Sequence, residues 1–190
     1  NSAVKDTSHL YGGAIYNSGS IGNITGDFIG DVATSGGSAI FNSGTIGNVT
    51  GDFISNTGAR AFENFFSSVS NIYGSFINNE FGGLYNHGTI SSIQGNFIQN
   101  QTEYRGGGFN NTGSIKLVQG DFINNYARIF GGGLYNDGNG KIDRIKGNFI
   151  GNYIDNYPYG SGAAIQNGAA STGYIGIVEG DFIGNHVDVK

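Results

Sequence analysis

One phrase is written seven times along the chain. Gly-Asp-Phe-Ile or a close variant recurs with its aromatic at Phe28, Phe53, Phe76, Phe97, Phe122, Phe149 and Phe182. Each copy follows a Gly-Gly-Ala-Ile-Tyr-Asn-like segment whose Asn falls at Asn17, Asn42, Asn64, Asn86, Asn111, Asn136 and Asn167. Successive phenylalanines are 25, 23, 21, 25, 27 and 33 residues apart. A period of ~20–50 residues marks a solenoid, propeller or array, because one unit cannot bury its apolar face alone and must stack on its neighbours. On such a scaffold the repeated positions build the structure, and binding sits where the repeat breaks.

The columns of the aligned repeats show which structure is stacked. Ile15, Ile40, Phe62, Leu84, Phe109, Leu134 and Ile165 form one column, always large and apolar. The next residue tolerates polarity: Tyr16, Phe41, Glu63, Tyr85, Asn110, Tyr135 and Gln166. The third is always Asn. That is the in–out alternation of a strand. A second strand centres on Ile24, Val49, Ile72, Ile93, Val118, Ile145 and Val178, and a third carries the Phe column followed by Ile29 to Ile183. The expected fold is all-β: a right-handed parallel β-helix solenoid of about seven rungs with three short strands per rung. Residues 1–190 form a single repeat domain. Asn1–Lys5 and Asn185–Lys190 both resemble the start of an inter-repeat connection, so the chain is expected to be a fragment of a longer array.

Two polar columns fit that scaffold. One is the Asn17-to-Asn167 column. The other is Asn56, Asn79, Asn100, Asn125, Asn152 and Asn185, three residues after each Phe, with Asp31 in the first copy. Rungs sit ~4.8 Å apart. At that spacing an amide donates to one neighbour and accepts from the other, so both columns are expected to be structural ladders. Asp31 breaks its ladder, since an ionised carboxylate cannot donate.

Composition excludes several functions. Net charge is −5 with no Lys/Arg stripe, which argues against nucleic acid as a partner. No apolar run approaches the ~20 residues of a membrane helix, so the chain is not expected to be membrane-embedded itself. Glycine is abundant at 36 residues, but no Gly-X-Y period exists and the apolar columns are regular, so neither collagen nor a flexible linker fits. His9, His87 and His186 occupy different repeat positions, so no metal triad or nucleophile–base pair follows. No cofactor motif and no catalytic constellation is present, and the chain is not expected to be an enzyme. The acidic column Asp27, Asp52, Asp121 and Asp181 follows the repeat and reads as a solvated face, with Asp27 and Asp52 a weak Ca²⁺ candidate.

The irregular connections are the candidate binding elements. They carry Tyr104 and Arg105, then Tyr126, Arg128 and Phe130, then Tyr153, Asp155, Tyr157, Pro158 and Tyr159. All leave the same corner of consecutive rungs. The candidate ligand contacts are Tyr104, Tyr126, Phe130, Tyr153, Tyr157 and Tyr159; these aromatics either contact a ligand or cover the scaffold's own corner. Tyr16, Phe41, Tyr85 and Tyr135 read as a second, exposed aromatic row, expected either to bind glycan or to pack against a neighbouring molecule. Phe65-Phe66 replaces a Ser-Gly turn and reads as a bulged corner or an exposed patch that meets a partner.

The alternation of Gly-Gly-Ala-Ile (Gly12–Ile15, with variants at Gly37–Ile40, Gly131–Leu134 and Gly162–Ile165) with Phe-x-x-Asn (from Phe53–Asn56 to Phe182–Asn185) resembles the repeats of polymorphic outer membrane proteins and related autotransporter adhesin passengers. The departures are Phe28–Asp31, and Ala59–Phe62, where Arg60 replaces a small residue. The resemblance implies an exported passenger at the bacterial cell surface or in the extracellular space. Its role would be structural and adhesive, with a host or neighbouring cell-surface protein or glycan as partner. The alternative is an extracellular carbohydrate-binding or carbohydrate-active β-helix of lyase or glycosidase type. End-to-end self-association through open sheet ends is a further expectation.

Overall fold

The computed structural model describes residues 10–155, 160–168 and 172–188. No helix occurs among them, and therefore none long and apolar enough to cross a membrane. The chain is a parallel β-solenoid in which three sheets each hold seven strands. The first sheet runs from Ile15–Asn17 to Ile165–Asn167, the second from Ser20–Thr25 to Tyr174–Glu179, the third from Phe28–Ile29 to Phe182–Ile183. Register is set column by column, so Leu84 pairs with Phe62 and Phe109, and Phe97 with Phe76 and Phe122.

The core follows from that register. Phe53, Phe76, Phe97, Phe122 and Phe149 are wholly buried and stack with ring centroids 4.6, 5.0, 4.8 and 4.5 Å apart. Such offset-stacked contacts are worth ~0.5–1.5 kcal/mol each beyond the area they bury. In the second sheet two inward residues stand three apart, as in Ile90 and Ile93, both buried, because the strand bends between them. The isoleucines after each Phe point outward; Ile29 is exposed and Ile98 half-buried, so that column contributes less to the core than its regularity suggests.

Both asparagine columns form continuous ladders. In the first sheet each amide donates to the next rung, with Asn64 to Asn86 at 2.8 Å, Asn86 to Asn111 at 2.9 Å and Asn111 to Asn136 at 2.8 Å. In the second ladder each Oδ1 from Asn79 to Asn185 accepts twice. Asn100 Oδ1 takes the backbone N–H of Asn79 at 3.1 Å and its amide at 2.8 Å, while Asn100 Nδ2 donates to Phe76 O and to Asn125 Oδ1. Only a side chain that both donates and accepts completes this pattern.

From Gly51 on, the glycine before each Phe is required by close approach to the preceding rung. A Cβ on Gly95 would lie 2.0 Å from Gly74 O, and one on Gly120 would lie 1.9 Å from Gly95 O. No side chain fits between these backbones.

The connections add a layer. From the fourth rung on they form a four-stranded fourth sheet of Gln101–Thr102, Tyr126–Ala127, Tyr153–Asp155 and His186–Asp188, with Ala127, Ile154 and Ala163 buried in its own small cluster. Isolated bridges continue the layer, joining Val32 to Thr57, Arg105 to Phe130, and Phe130 to Ser161. The connections therefore fold back beside the outward face of the first sheet, which decides where the site lies.

Candidate functional site

On the outward face of the first sheet, Phe41, Glu63, Tyr85, Asn110 and Tyr135 pair in register on successive rungs. This is the column read as an exposed aromatic row. Tyr16 is 55% exposed, but Phe41 is 6% and Tyr135 2%, because residues of the connections lie over them. Tyr11 packs on Phe41 at 4.6 Å, and Phe130 stacks on Tyr135 at 6.0 Å. Covering aromatic surface in this way removes it from water.

The cover is incomplete between the third and sixth rungs. There a cleft of about 410 Å³ opens, lined chiefly by Arg60, Tyr85, Tyr104, Arg105, Asn110 and Asp137. Its size falls within the range of small-molecule sites, ~300–1,000 Å³. The Arg60 guanidinium lies 3.9 Å over the Tyr85 ring centroid and makes no hydrogen bond or ion pair among the described residues. Desolvation pushes its pKa down, opposed by the charge of Glu63. Glu63 is buried behind the cleft, its Oε2 beside Gly36, and it accepts from the Gly37 N–H. Burial raises its carboxyl above the usual range, and the Arg60 charge opposes that.

On the other wall Arg105 Nη1 donates to Tyr135 Oη at 3.1 Å, and its guanidinium lies 5.3 Å from the Phe130 and Tyr135 ring centroids. Tyr135 Oη in turn donates to Asp137. Burial, then that hydrogen bond, pushes the Tyr135 phenol up to about 12. The phenol is thus a fixed donor to the carboxylate at physiological pH.

Between the walls sits Asn110. It is 5% exposed, and its Oδ1 is buried with no hydrogen-bond partner. It is the only such side-chain atom among the described residues. A buried acceptor left unmade costs ~1–3 kcal/mol. The cleft therefore holds planar polar groups of both signs, two guanidiniums and a carboxylate, beside an unmatched amide and the aromatic faces of Tyr85 and Tyr104.

No family model, curated protein or solved structure matches the chain. The function is read from the chemistry of the cleft.

The candidate contacts of the connections divide between two places. Tyr104 lines the cleft and is 63% exposed. Phe130 backs it by stacking on Tyr135. Tyr126 and Tyr153 pack on each other at 4.9 Å on the fourth sheet, beside a shallow polar depression with Asn78, Gln99 and Asn124. Tyr126 Oη donates to Asp155 at 2.8 Å, and burial, then that bond, holds its phenol above the usual tyrosine range. Tyr157 and Tyr159 lie outside the described residues.

The acidic column has a structural use. Asp27 Oδ1 accepts the Asp52 N–H at 2.9 Å, Asp52 Oδ1 the Ser75 N–H at 2.7 Å, and Asp121 Oδ1 the Asn148 N–H at 2.7 Å. Asn96 and Ser75 do the same at their rungs. The position needs an acceptor only, so Asp, Asn and Ser interchange there. Among the described residues no group of three His, Asp or Glu gathers as a metal site.

Glu63, Asn110 and Asp137 were not singled out by sequence as site residues, and Tyr85 only as a member of the outward aromatic row. The available signal was the departure at Arg60, together with the polarity of Glu63 and Asn110 in an otherwise aromatic column.

Proposed function

We propose that the chain is a structural and adhesive segment of an extracellular or cell-surface bacterial passenger, and that its cleft at Arg60, Asn110 and Arg105 holds a glycan unit of a host or neighbouring cell surface. The carrying observation is the buried, unpartnered Asn110 Oδ1 at a cleft. In a molecule whose other interior amides are matched rung by rung, this acceptor calls for an outside donor. A sugar hydroxyl or N-acetyl N–H supplies one. Arg60, Arg105 and Asp137 offer the mixed, planar donors and acceptors that suit vicinal hydroxyls, and Tyr104 and Tyr85 offer ring faces. The surface-passenger context is supported by the repeat resemblance. The cleft favours binding over carbohydrate cleavage: among the described residues its one lining carboxylate is Asp137, which accepts from Tyr135, and no second carboxylate lines the cleft to act with it.

Beads coated with the purified chain and presented to cultured epithelial cells test this reading. Asn110→Ala with Arg105→Ala, with β-sheet circular dichroism unchanged, is expected to lower bead retention by about tenfold or more, and enzymatic deglycosylation of the cells to do the same. Equal retention by wild type and variant would overturn it.

A further inference from the structure

Beside the cleft runs a second and larger depression, of about 690 Å³, along the corner between the first and second sheets. It crosses five successive rungs, from Ser43 to Asn139, a length of about 19 Å at strand spacing. Its floor is made of the short corners of each rung: Ser43-Gly44, Ser67, Gly88 and Gly113. The glycines are enforced by stacking, since a Cβ on Gly88 would lie 2.0 Å from Ser67 O and one on Gly113 2.1 Å from Gly88 O. The floor is therefore a flat trough of backbone and hydroxyls. Among the described residues, no Asp, Glu, Lys or Arg lines it. One wall is aromatic.

That wall is held in an unusual backbone state. The third rung has one residue more between its ladder Asn and the second strand than the neighbouring second and fourth rungs, and the extra residue is Phe66. It has φ +49° and is 75% exposed. A bulky side chain in the left-handed region is strained and persists only where the surroundings impose it. Here the ring stacks on His87 at 5.4 Å with the planes 29° apart, while Phe65 meets Phe66 edge-on at 4.7 Å. His87 bonds Thr112 Oγ1 through Nδ1 at 2.8 Å. Burial lowers the His87 pKa, so this wall is uncharged at neutral pH. Thr112 lines both the trough and the Asn110 cleft, so the two border each other at that residue.

We infer that the trough is an extended subsite for a neutral oligosaccharide whose terminal unit occupies the Asn110 cleft, with Phe66 as the stacking platform for the following units. This rests on the glycan reading of the cleft. The absence of charge along the trough disfavours nucleic acid and acidic polymers, which would need cations. A hydroxyl floor facing an exposed ring matches the two surfaces of a pyranose, hydroxyl edges on one side and C–H faces on the other. A bound oligosaccharide would cross at Thr112, the residue the two depressions share.

Calorimetric titration of the whole chain with neutral glucan, mannan and N-acetylglucosamine oligomers of one to five units tests the inference. Phe66→Asn is the informative variant, because Asn tolerates positive φ and removes the ring without straining the corner. For the wild type, affinity for at least one series is expected to rise with length. In Phe66→Asn the tetramer is expected to weaken about tenfold while the monosaccharide is unchanged, with melting temperature equal or higher. A tetramer bound equally by both proteins, or affinity independent of length, would overturn the trough and leave the cleft standing. No binding by any series would overturn both.

Discussion

On each strand of the first sheet two neighbouring residues obey opposite rules. The inward one is Asn in every rung from Asn17 to Asn167; the outward one is Tyr, Phe, Glu, Asn or Gln. They are adjacent in sequence and share one backbone. What differs is the number of obligations. Asn86 must donate to Asn111 Oδ1 and to Gly88 O while accepting from the Asn64 amide and the Gly88 N–H, in a wholly buried position. Tyr85 must only fit under Arg60. A position that must satisfy four bonds has one solution; a position covered by a variable connection has several, and the site was assembled from those. Asparagine makes the contrast sharp at Asn110 and Asn111. Asn111 is matched above and below, while Asn110 holds the single unmatched buried side-chain acceptor among the described residues.

The largest way to break the contrast is inside a ladder. Asn100→Leu removes the acceptor for the Asn79 N–H and amide and the donor to Phe76 O. At ~1–3 kcal/mol per buried group left unmade, the loss is about 4 kcal/mol or more, visible as a fall in the urea midpoint. On the outward acceptor column the same logic predicts a small, chemistry-specific effect. Asp121→Ala strips the acceptor of the Asn148 N–H and is expected to cost about 1 kcal/mol, whereas Asp121→Asn is expected to leave the urea midpoint unchanged. An equal cost for both would mean that charge, not acceptance, matters there.

The smallest effect sharpens the ladder rule at its exception. Asp31 sits in the second ladder's column, buried, and donates only its backbone N–H, to Asn56 Oδ1 at 2.8 Å. Burial raises its pKa from the ordinary 3.8. A raised carboxyl pKa means that its contribution to stability is present below the unfolded value and is lost as pH rises through the folded one. Asp31→Asn removes that loss and restores a donor. The variant is expected to match wild type near pH 3.5 and to gain up to about 1 kcal/mol as pH rises toward 7, read by urea unfolding across that range. A gain independent of pH would assign the effect to the donor alone.

Much of the scaffold was legible because its constraints are local and repeated. The Phe column, the two Asn columns and the glycine before each Phe announce themselves by recurring in every rung. The outward column was legible only in its sidedness. Alternation places Tyr85, Asn110 and Tyr135 outside the solenoid, and outside was equated with exposed. The connections overturned that by folding back, with Tyr11 on Phe41, Arg60 on Tyr85 and Phe130 on Tyr135. Their lengths vary from rung to rung, so no periodicity marks where they land. The trough has the same origin: Phe66 was visible as a departure from a Ser-Gly corner, but not as the wall of a channel beside Thr112.

By itself the sequence determined the parallel stack, its register and the identity of its interior ladders, because each rests on contacts between equivalent residues one rung apart. Only the tertiary structure decided that Arg60, Asn110, Arg105 and Asp137 share a cleft. Those residues come from non-equivalent positions, and their meeting depends on how far each connection reaches across the face of the sheet before the next rung begins.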